Sequence, residues 1–343
     1  MELKFVSIIM PCRNEVDFIE NAIKSVFAQD YPRDRLEVIV ADGMSDDGTT
    51  QILHGLANTH SELKVIENPH RATPHGLNAA IETAKGEIII RFDAHAVFPS
   101  NYVSALVNAL DTYKADNVGG VLNTLPAAQN REAISIALAM SSKFGVGNAD
   151  FRTGSQTVTE VDTVPFGCFR KSVFEELGLF DTDLIRNQDD EFNARMIQAG
   201  KKIILLPDVE ITYFARSTFR KMRQMYFQYG LFKPLVNQKL KHPATLRQFV
   251  PPLFVLSFIL FPVSLISGGL AFAWASVYVL YFGMNLIFSL RLAASEKKTT
   301  LIPYLVLAFF YIHISYGWGY LRGFFRFAVF KKAVDIDRTH LSR

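Results

Sequence analysis

Three stretches toward the C-terminal end, 249–267, 270–290 and 301–321, each run for about the 20 residues that cross a bilayer core and hold no Lys, Arg, Asp or Glu. Such segments must be buried in lipid or in a large apolar core. Three in succession with basic flanks read as transmembrane helices, with Gly268 and Gly269 making a tight hairpin of the first two. The remaining charge is partitioned to match. Residues 1–215 carry 19 Lys and Arg against 30 Asp and Glu, residues 216–248 carry 8 basic residues and no acid, and residues 249–343 carry 9 basic residues against Glu296, Asp335 and Asp337. The net charge of +3 thus sums unlike parts: a catalytic-sized domain over 1–215, a basic juxtamembrane segment over 216–248, and a membrane domain over 249–343 with a basic tail. With 49% hydrophobic residues and two cysteines, the chain is neither disordered, collagen-like nor a disulfide scaffold. Its excess of basic over acidic residues lies beside the apolar region and not on the large acidic domain, which argues against nucleic acid as a partner.

Orientation follows from Lys and Arg in short flanks. The cluster Arg216, Arg220, Lys221, Arg223, Lys233, Lys239, Lys241 and Arg247 places the N-terminal domain in the cytoplasm, on the inner face of the cell membrane, and Arg291, Lys297 and Lys298 return there after two crossings. A third full crossing leaves Arg322, Arg326, Lys331 and Lys332 outside, against the positive-inside rule. Either 301–321 is re-entrant or shallow, weakened by Pro303, His313, Gly317 and Gly319, or the tail tolerates the wrong side. The apolar run Phe5–Met10, stopped by Pro11, lacks the long h-region and cleavage site of a signal peptide and reads as a strand. Cys12 and Cys168 match no metal-ligand spacing and fit a reducing compartment.

From residue 5 to about 125, short β-rich runs alternate with helical patterns, the signature of βαβ units on a mostly parallel sheet. Phe5–Met10, Glu37–Ala41, Lys64–Glu67, Glu87–Phe92 and Asn117–Leu122 are the strands; Phe18, Ile19, Ala22, Ile23, Val26 and Phe27 mark one helical face. Further on, a helix at Arg131–Lys143, strands at Glu160–Val164 and Lys202–Leu206, and a helix capped by Asn187 and ended by Gly200 are expected. Ligands in such sheets bind beyond the strand C-termini, so candidate residues are sought just after each strand.

After the first strand come Pro11, Arg13, Asn14 and Glu15, suited to a nucleotide's base or ribose, or equally to capping the next helix. After the second come Asp42, Asp46 and Asp47 among Gly43, Ser45, Gly48 and Thr49. They fit an ordinary turn and helix cap, or a carboxylate accepting the imide N–H of uracil. The fourth strand ends in Asp93-Ala94-His95. On an extended chain residues i and i+2 point the same way, so these two could hold a divalent cation that clamps a diphosphate; otherwise Asp93 caps a helix and His95 packs. Asn187-Gln188-Asp189-Asp190-Glu191 opens a helix, where carboxylates serve the dipole, or where Asp189 deprotonates an acceptor hydroxyl. The helix N-terminus would lower the Asp189 pKa, which burial or a second carboxylate such as Asp93 would have to counter.

In order and spacing, Ser7–Glu15, Ala41–Thr49, Gly76-Leu-Asn78-Ala-Ala80, Phe92–His95 and Gln188-Asp189 resemble the family 2 glycosyltransferases over about residues 5–235. The resemblance implies a GT-A (Rossmann-like) α/β fold, here followed by transmembrane helices, and inverting transfer from a nucleotide-diphosphate sugar. It assigns Asp42 to the base, and Pro11, Arg13, Asn14, Glu15, Asn78 and Asp93 to the nucleotide sugar. Asp93 and His95 become metal ligands, Asp189 the catalytic base, and Gln188, Asp190, Gln224 and Tyr229 acceptor or lid candidates. Two departures stand out: His95 replaces the second metal-motif Asp, and Gln188 the usual Glu before the base. Imidazole is a fair ligand for manganese, so a divalent cation, Mn or Mg, is still expected.

Asp93–Pro99, Phe144–Asn148, Val161–Gly167, Arg186–Glu191 and Gln224–Gly230 are similar to the membrane-bound, succinoglycan-type glucosyltransferases of exopolysaccharide assembly. Gln224–Gly230 lacks the Gln-x-x-Arg-Trp of processive relatives. The resemblance therefore implies transfer of a single sugar, glucose from UDP-glucose, to a lipid-diphosphate-linked saccharide at the membrane. The basic stretch Arg216–Arg247 would then meet the lipid diphosphate and anionic lipid, at about 1 kcal/mol per residue near the surface, or would only set topology. Two other readings are a polyprenyl-phosphate sugar synthase and a membrane-tethered sugar-nucleotide-binding scaffold.

Overall fold

The structure, a computed structural model, describes residues 3–243 and 245–334. In chain order its strands are β1 (Val6–Cys12), β2 (Leu36–Asp42), β3 (Leu63–Glu67), β4 (Ile88–Arg91), β5 (Ala96–Val97), β6 (Asn117–Leu125), β7 (Thr159–Glu160), β8 (Cys168–Arg170) and β9 (Ile203–Phe214). The helices are α1 (Ile19–Phe27), α2 (Thr49–Ala57), α3 (Thr73–Thr83), α4 (Tyr102–Thr112), α5 (Arg131–Met140), α6 (Lys143–Val146), α7 (Asp150–Thr153), α8 (Lys171–Leu177), α9 (Gln188–Gln198), α10 (Phe219–Leu240), α11 (Val250–Ile259), α12 (Phe261–Ser264), α13 (Gly268–Ser295) and α14 (Ile302–Gly323). The chain forms two compact units. One runs up to Asn123 and includes Gly154–Tyr213; the other joins Thr124–Thr153 to the chain from Phe214 onward.

The first unit is an α/β domain around a mixed sheet ordered β3-β2-β1-β4-β8-β6-β9-β5, with β7 on β9. β1 to β4 are parallel neighbours, as the alternation of strands and helices implies, while β8 runs antiparallel to both β4 and β6. Ile8, Ile9, Val38, Ile39, Val40, Ile89 and Ile90 are wholly or almost wholly buried, because parallel strands are covered on both faces. On α1 the expected face is buried at Ile19, Ala22, Ile23 and Val26, while Phe18 at its start is exposed and Phe27 at its end half-buried. β1 runs through Pro11, beyond the expected end. Phe92 N–H bonds the Ile9 carbonyl, so Ile9 and Pro11 aim their backbone polar groups at β4, whose pairing with β1 has ended at Ile9. No ladder partner waits for the N–H that proline lacks.

Thr124–Thr153, kept with the N-terminal domain in the sequence reading, packs in the second unit because Ile134 and Leu138 of α5 lie against the buried cluster of Ala293, Leu301 and Leu305. Gly319 and Gly323 of α14 let α10 approach backbone to backbone: an added Cβ would stand 2.1 Å from the carbonyl oxygens of Phe227 and Leu231, respectively. Segment 249–267 does not form the expected single span. It is split at Leu260 into α11, of 10 residues, and α12, of 4. Pro262 has no N–H for the Phe258 carbonyl and its ring crowds that carbonyl, which ends the helix. Among the described residues, two helices are long and apolar enough to cross a membrane, Gly268–Ser295 and Thr299–Val329. The third segment, for which a re-entrant or shallow path and a tail on the wrong side are the alternatives, forms one continuous helix, and the interrupted segment is the first.

Candidate active site

Between β3-β2-β1 and β4 the chain reverses its direction of growth across the sheet, and the crevice beyond the C-termini of β1 and β4 is where such a sheet receives a ligand. The loops after β1 and β2 are locked to each other there. Asn14 has a left-handed backbone (φ 55°); its N–H bonds the Ser45 hydroxyl at 2.8 Å, and its amide exchanges bonds with Asp46 at 2.9 and 3.0 Å. Glu15 N–H bonds the Thr49 hydroxyl at 2.8 Å, and Val16 N–H bonds Asp47 at 3.1 Å. Asp42 is only 4% exposed. One of its oxygens accepts the Ser45 N–H and hydroxyl at 3.2 and 2.6 Å, the other the Thr50 hydroxyl at 2.5 Å. Arg13 lies against Gly43, and its buried Nε has no hydrogen-bond partner among the described residues. Pro11 and Arg13 are half-buried beside this loop pair.

Beyond β4 the chain turns instead of staying extended, with Ala96 N–H bonded to the Asp93 carbonyl at 3.2 Å, so the i, i+2 argument for Asp93 and His95 fails. The Asp93 carboxylate turns back to Arg91, while the His95 ring faces Glu15 with Nδ1 3.6 Å from Oε1. Arg91, the last residue of β4, has a side chain 8% exposed. Its Nε and Nη2 donate to the two oxygens of Asp93 at 2.9 and 3.0 Å; its Nη1 donates to both oxygens of Asp189 at 2.7 and 2.8 Å. Desolvation alone would lower the Arg91 pKa, but the two carboxylates more than offset it and hold the guanidinium charged.

Asp189 stands in the first turn of α9, whose N-cap Asn187 has a left-handed backbone (φ 65°) and makes no side-chain cap bond. Phe192, wholly buried, holds α9 in place through ring contacts with Phe169, Phe174 and Phe180 at 5.7, 4.9 and 4.8 Å. Desolvation raises the Asp189 pKa, Arg91 lowers it and Asp93 raises it again, with the balance above the ordinary value. Its side chain is 41% exposed, so water screens part of these effects. Gln188 is buried and Asp190 half-buried at the same helix start. Asn78 is committed elsewhere in this unit: its amide both donates to and accepts from the Phe180 backbone, at 2.8 and 3.0 Å, tying α3 to the segment that leads into α9.

Asp93 and His95 offer a cation one carboxylate and one imidazole. Among the described residues no three His, Cys, Asp or Glu side chains gather to enclose one. Both Asp93 oxygens are taken by Arg91 and His95 faces Glu15, so the two form no preset cage, and a cation held by them would draw most of its ligands from substrate phosphate oxygens.

A profile for Glycosyl transferase family 2 matches residues 7–178, and a relative from Methanococcus voltae is 30% identical over 94% of this chain and 98% of its own length. The chain belongs to glycosyl transferase family 2. The Methanococcus relative is the dolichyl N-acetyl-α-D-glucosaminyl phosphate 3-β-D-2,3-diacetamido-2,3-dideoxy-β-D-glucuronosyltransferase. The succinoglycan biosynthesis protein ExoA of Rhizobium meliloti (strain 1021) is 30% identical over 71% of this chain and 73% of its own length. Among solved structures, the mannosyltransferase PcManGT of Pyrobaculum calidifontis, in complex with GDP-Man and Mn2+, superposes with a TM-score of 0.56 at 22% identity, covering 90% of this chain and 87% of that one. TarS of S. aureus with UDP-GlcNAc gives 0.53 at 16% identity, covering 92% and 90%. These likenesses show the fold, and the family makes the chain a glycosyltransferase.

In this glycosyltransferase the structure brings together Asp93 and Asp189, and separately Glu15 and His95. Gln224 and Tyr229 belong to α10 of the second unit, where Tyr229 meets Tyr226 edge-on at 5.9 Å. The residue that sequence reasoning missed is Arg91. Its signal was a lone cation closing the apolar run Ile88–Ile90, two positions before Asp93.

Proposed function

We propose that this glycosyltransferase is an inverting, metal-dependent, non-processive enzyme that moves one sugar from a UDP-sugar to a hydroxyl of a lipid-diphosphate-linked saccharide during exopolysaccharide assembly. The observation that carries the reading is the meeting of Asp93, after β4, with Asp189, at the start of α9, through one guanidinium. A donor-side carboxylate and a partly exposed acceptor-side carboxylate are what an inverting displacement asks for, since the hydroxyl attacks the face opposite the leaving diphosphate. Asp189 takes the hydroxyl proton, and a raised pKa suits it to that work. Asp42, Arg13, Asn14 and Glu15 frame the base and ribose at the switch point, with Pro11 beneath, and Asn78 acts indirectly by fixing the approach to α9. Asp93 and His95 would hold the divalent cation, Mn or Mg, which when bound stabilises the charge on the departing diphosphate.

Gln188 and Asp190, and Gln224 and Tyr229 on α10, are assigned to the acceptor. Two helices able to cross a membrane, and the basic stretch Arg216–Arg247, support reaction at the inner face of the cell membrane with the catalytic unit cytoplasmic. The name of the Methanococcus relative specifies a sugar already carried on a lipid phosphate as acceptor, which favours this reading over transfer to bare polyprenyl phosphate.

The test is incubation of the full chain in membrane vesicles with Mn2+ or Mg2+, a panel of UDP-sugars led by UDP-glucose, and lipid-linked oligosaccharide, followed by mass spectrometry. The expected product is the acceptor enlarged by one hexose with release of UDP. A sugar on bare polyprenyl phosphate would make the enzyme a polyprenyl-phosphate sugar synthase instead. UDP binding with no turnover on any acceptor would leave only a scaffold.

A further inference from the structure

Arg91 belongs to none of the motifs that name the site, yet it alone touches both carboxylates to which chemistry is assigned. Every nitrogen of its guanidinium is engaged. Nε and Nη2 lie side-on against Asp93 at 2.9 and 3.0 Å, and Nη1 straddles the two oxygens of Asp189 at 2.7 and 2.8 Å. The arginine is itself anchored from three directions. Its N–H bonds the Gly167 carbonyl at 3.1 Å, its guanidinium carbon lies 5.7 Å from the centre of the Phe166 ring, and Phe166 is pinned in a left-handed backbone (φ 47°) by a 2.7 Å bond from the Tyr102 hydroxyl to its carbonyl. A non-glycine residue in that conformation is held by its surroundings. The buried Phe92, Phe98 and Tyr102 rings pack around it, with Phe98 and Phe166 edge-on at 5.5 Å.

We propose that Arg91 is a positioning residue that sets the acceptor base from the donor site. Asp93 and Asp189 come from elements far apart in the chain, and no other described side chain is seen to bond both. A planar guanidinium fixes the distance and the plane between two carboxylates at once, which an ammonium, a point charge on a flexible stem, does not. Without it two like charges would face each other and part. Through the same guanidinium, a shift of Asp93 on donor binding would be carried to Asp189. The proposal rests on the assignment of Asp93 to the donor and Asp189 to the base.

The test uses the full chain in vesicles with Arg91→Lys and Arg91→Met, comparing kcat, donor KM, calorimetric UDP affinity in the presence of Mn2+, and thermal unfolding. Displacement of a base by about 1 Å costs on the order of 100-fold in turnover. Arg91→Met is expected to lose about that much kcat per folded enzyme, and Arg91→Lys about tenfold, with UDP affinity changed less than threefold in both. If both variants only melt earlier and keep kcat, Arg91 is structural and the proposal is overturned. If UDP affinity collapses and kcat survives, Arg91 is a donor ligand and the proposal is equally overturned. Should Arg91→Met fail to fold, Arg91→Lys decides on the same criteria. Asp189→Asn in parallel separates the two levels. Abolished turnover in Asp189→Asn with full turnover in Arg91→Lys removes the positioning role alone, whereas retained turnover in Asp189→Asn removes the base assignment and this proposal with it.

Discussion

The acidic loop after β2 and the acidic pair beyond β4 and before α9 look alike as strings of aspartates, but different donors satisfy them. Asp42, Asp46 and Asp47 accept from hydroxyls, an amide and backbone N–H groups, all neutral and all within the paired loops after β1 and β2 or the first turn of α2. Asp93 and Asp189 share one cation drawn from a third element. Neutral donors in short loops make a rigid rim whose charge is already shielded. A carboxylate pair bridged by a single guanidinium stays coupled, so that what engages one carboxylate is felt at the other. The first arrangement builds the shape of the crevice; the second is fitted to respond to what enters it.

The comparison breaks most sharply at Asp189. Asp189→Asn is expected to lower kcat by on the order of 1,000-fold with UDP affinity nearly unchanged, read from UDP release and calorimetry on the same preparation. Activity within tenfold of the parent would mean that the cation-held pair does no more chemistry than the rim. On the other side, Asp42→Ala strips the Ser45 and Thr50 hydroxyls of a buried acceptor and should cost about 2 kcal/mol in urea unfolding, with weaker UDP binding as the rim loosens. Unchanged stability would show that the loop does not depend on its carboxylate.

Acid should separate the two regions more gently. As a base, Asp189 must be ionised, and because desolvation and Asp93 outweigh Arg91 in holding its pKa above the ordinary carboxylate value, turnover should fade at a higher pH than a free aspartate would give. What burial Asp47 has raises its pKa, but the bonds from Thr49 and Val16 outweigh it and leave the value lowered. Its contribution to the rim is therefore full above the unfolded-state pKa and is lost only as pH falls through that lowered value. A kcat profile for the first, and amide exchange at Thr49 for the second, should give midpoints in that order.

Much of the first unit was legible because strand and helix periods are local. The apolar run at Phe5–Met10 and the face Ile19, Ala22, Ile23 and Val26 need no knowledge of their partners. Asp42, Asp93, His95 and Asp189 could be singled out as candidates from the sequence, but their geometry could not. That Asp93 and His95 sit in a turn, and that Asn78 staples Phe180, depend on contacts across the fold. Arg91 was invisible for the same reason, since its two partners lie 2 and 98 positions away. The break at Pro262 was written in the sequence, but composition summed over about 20 residues averages a single proline away.

That break bears on parity. An odd number of crossings would strand Arg322, Arg326, Lys331 and Lys332 on the face opposite Arg216–Arg247. With α11 and α12 too short to span, two helices among the described residues are long enough to cross, Gly268–Ser295 and Thr299–Val329. Within the second unit, however, Phe219 stacks on Tyr304 and Arg223 lies over Tyr311, so the basic start of α10 sits beside the end of α14 that follows Lys297 and Lys298, and two crossings would not part these groups. One proline thus divides the first apolar segment, while the basic start of α10 and the Lys297–Lys298 turn gather at one end of α14.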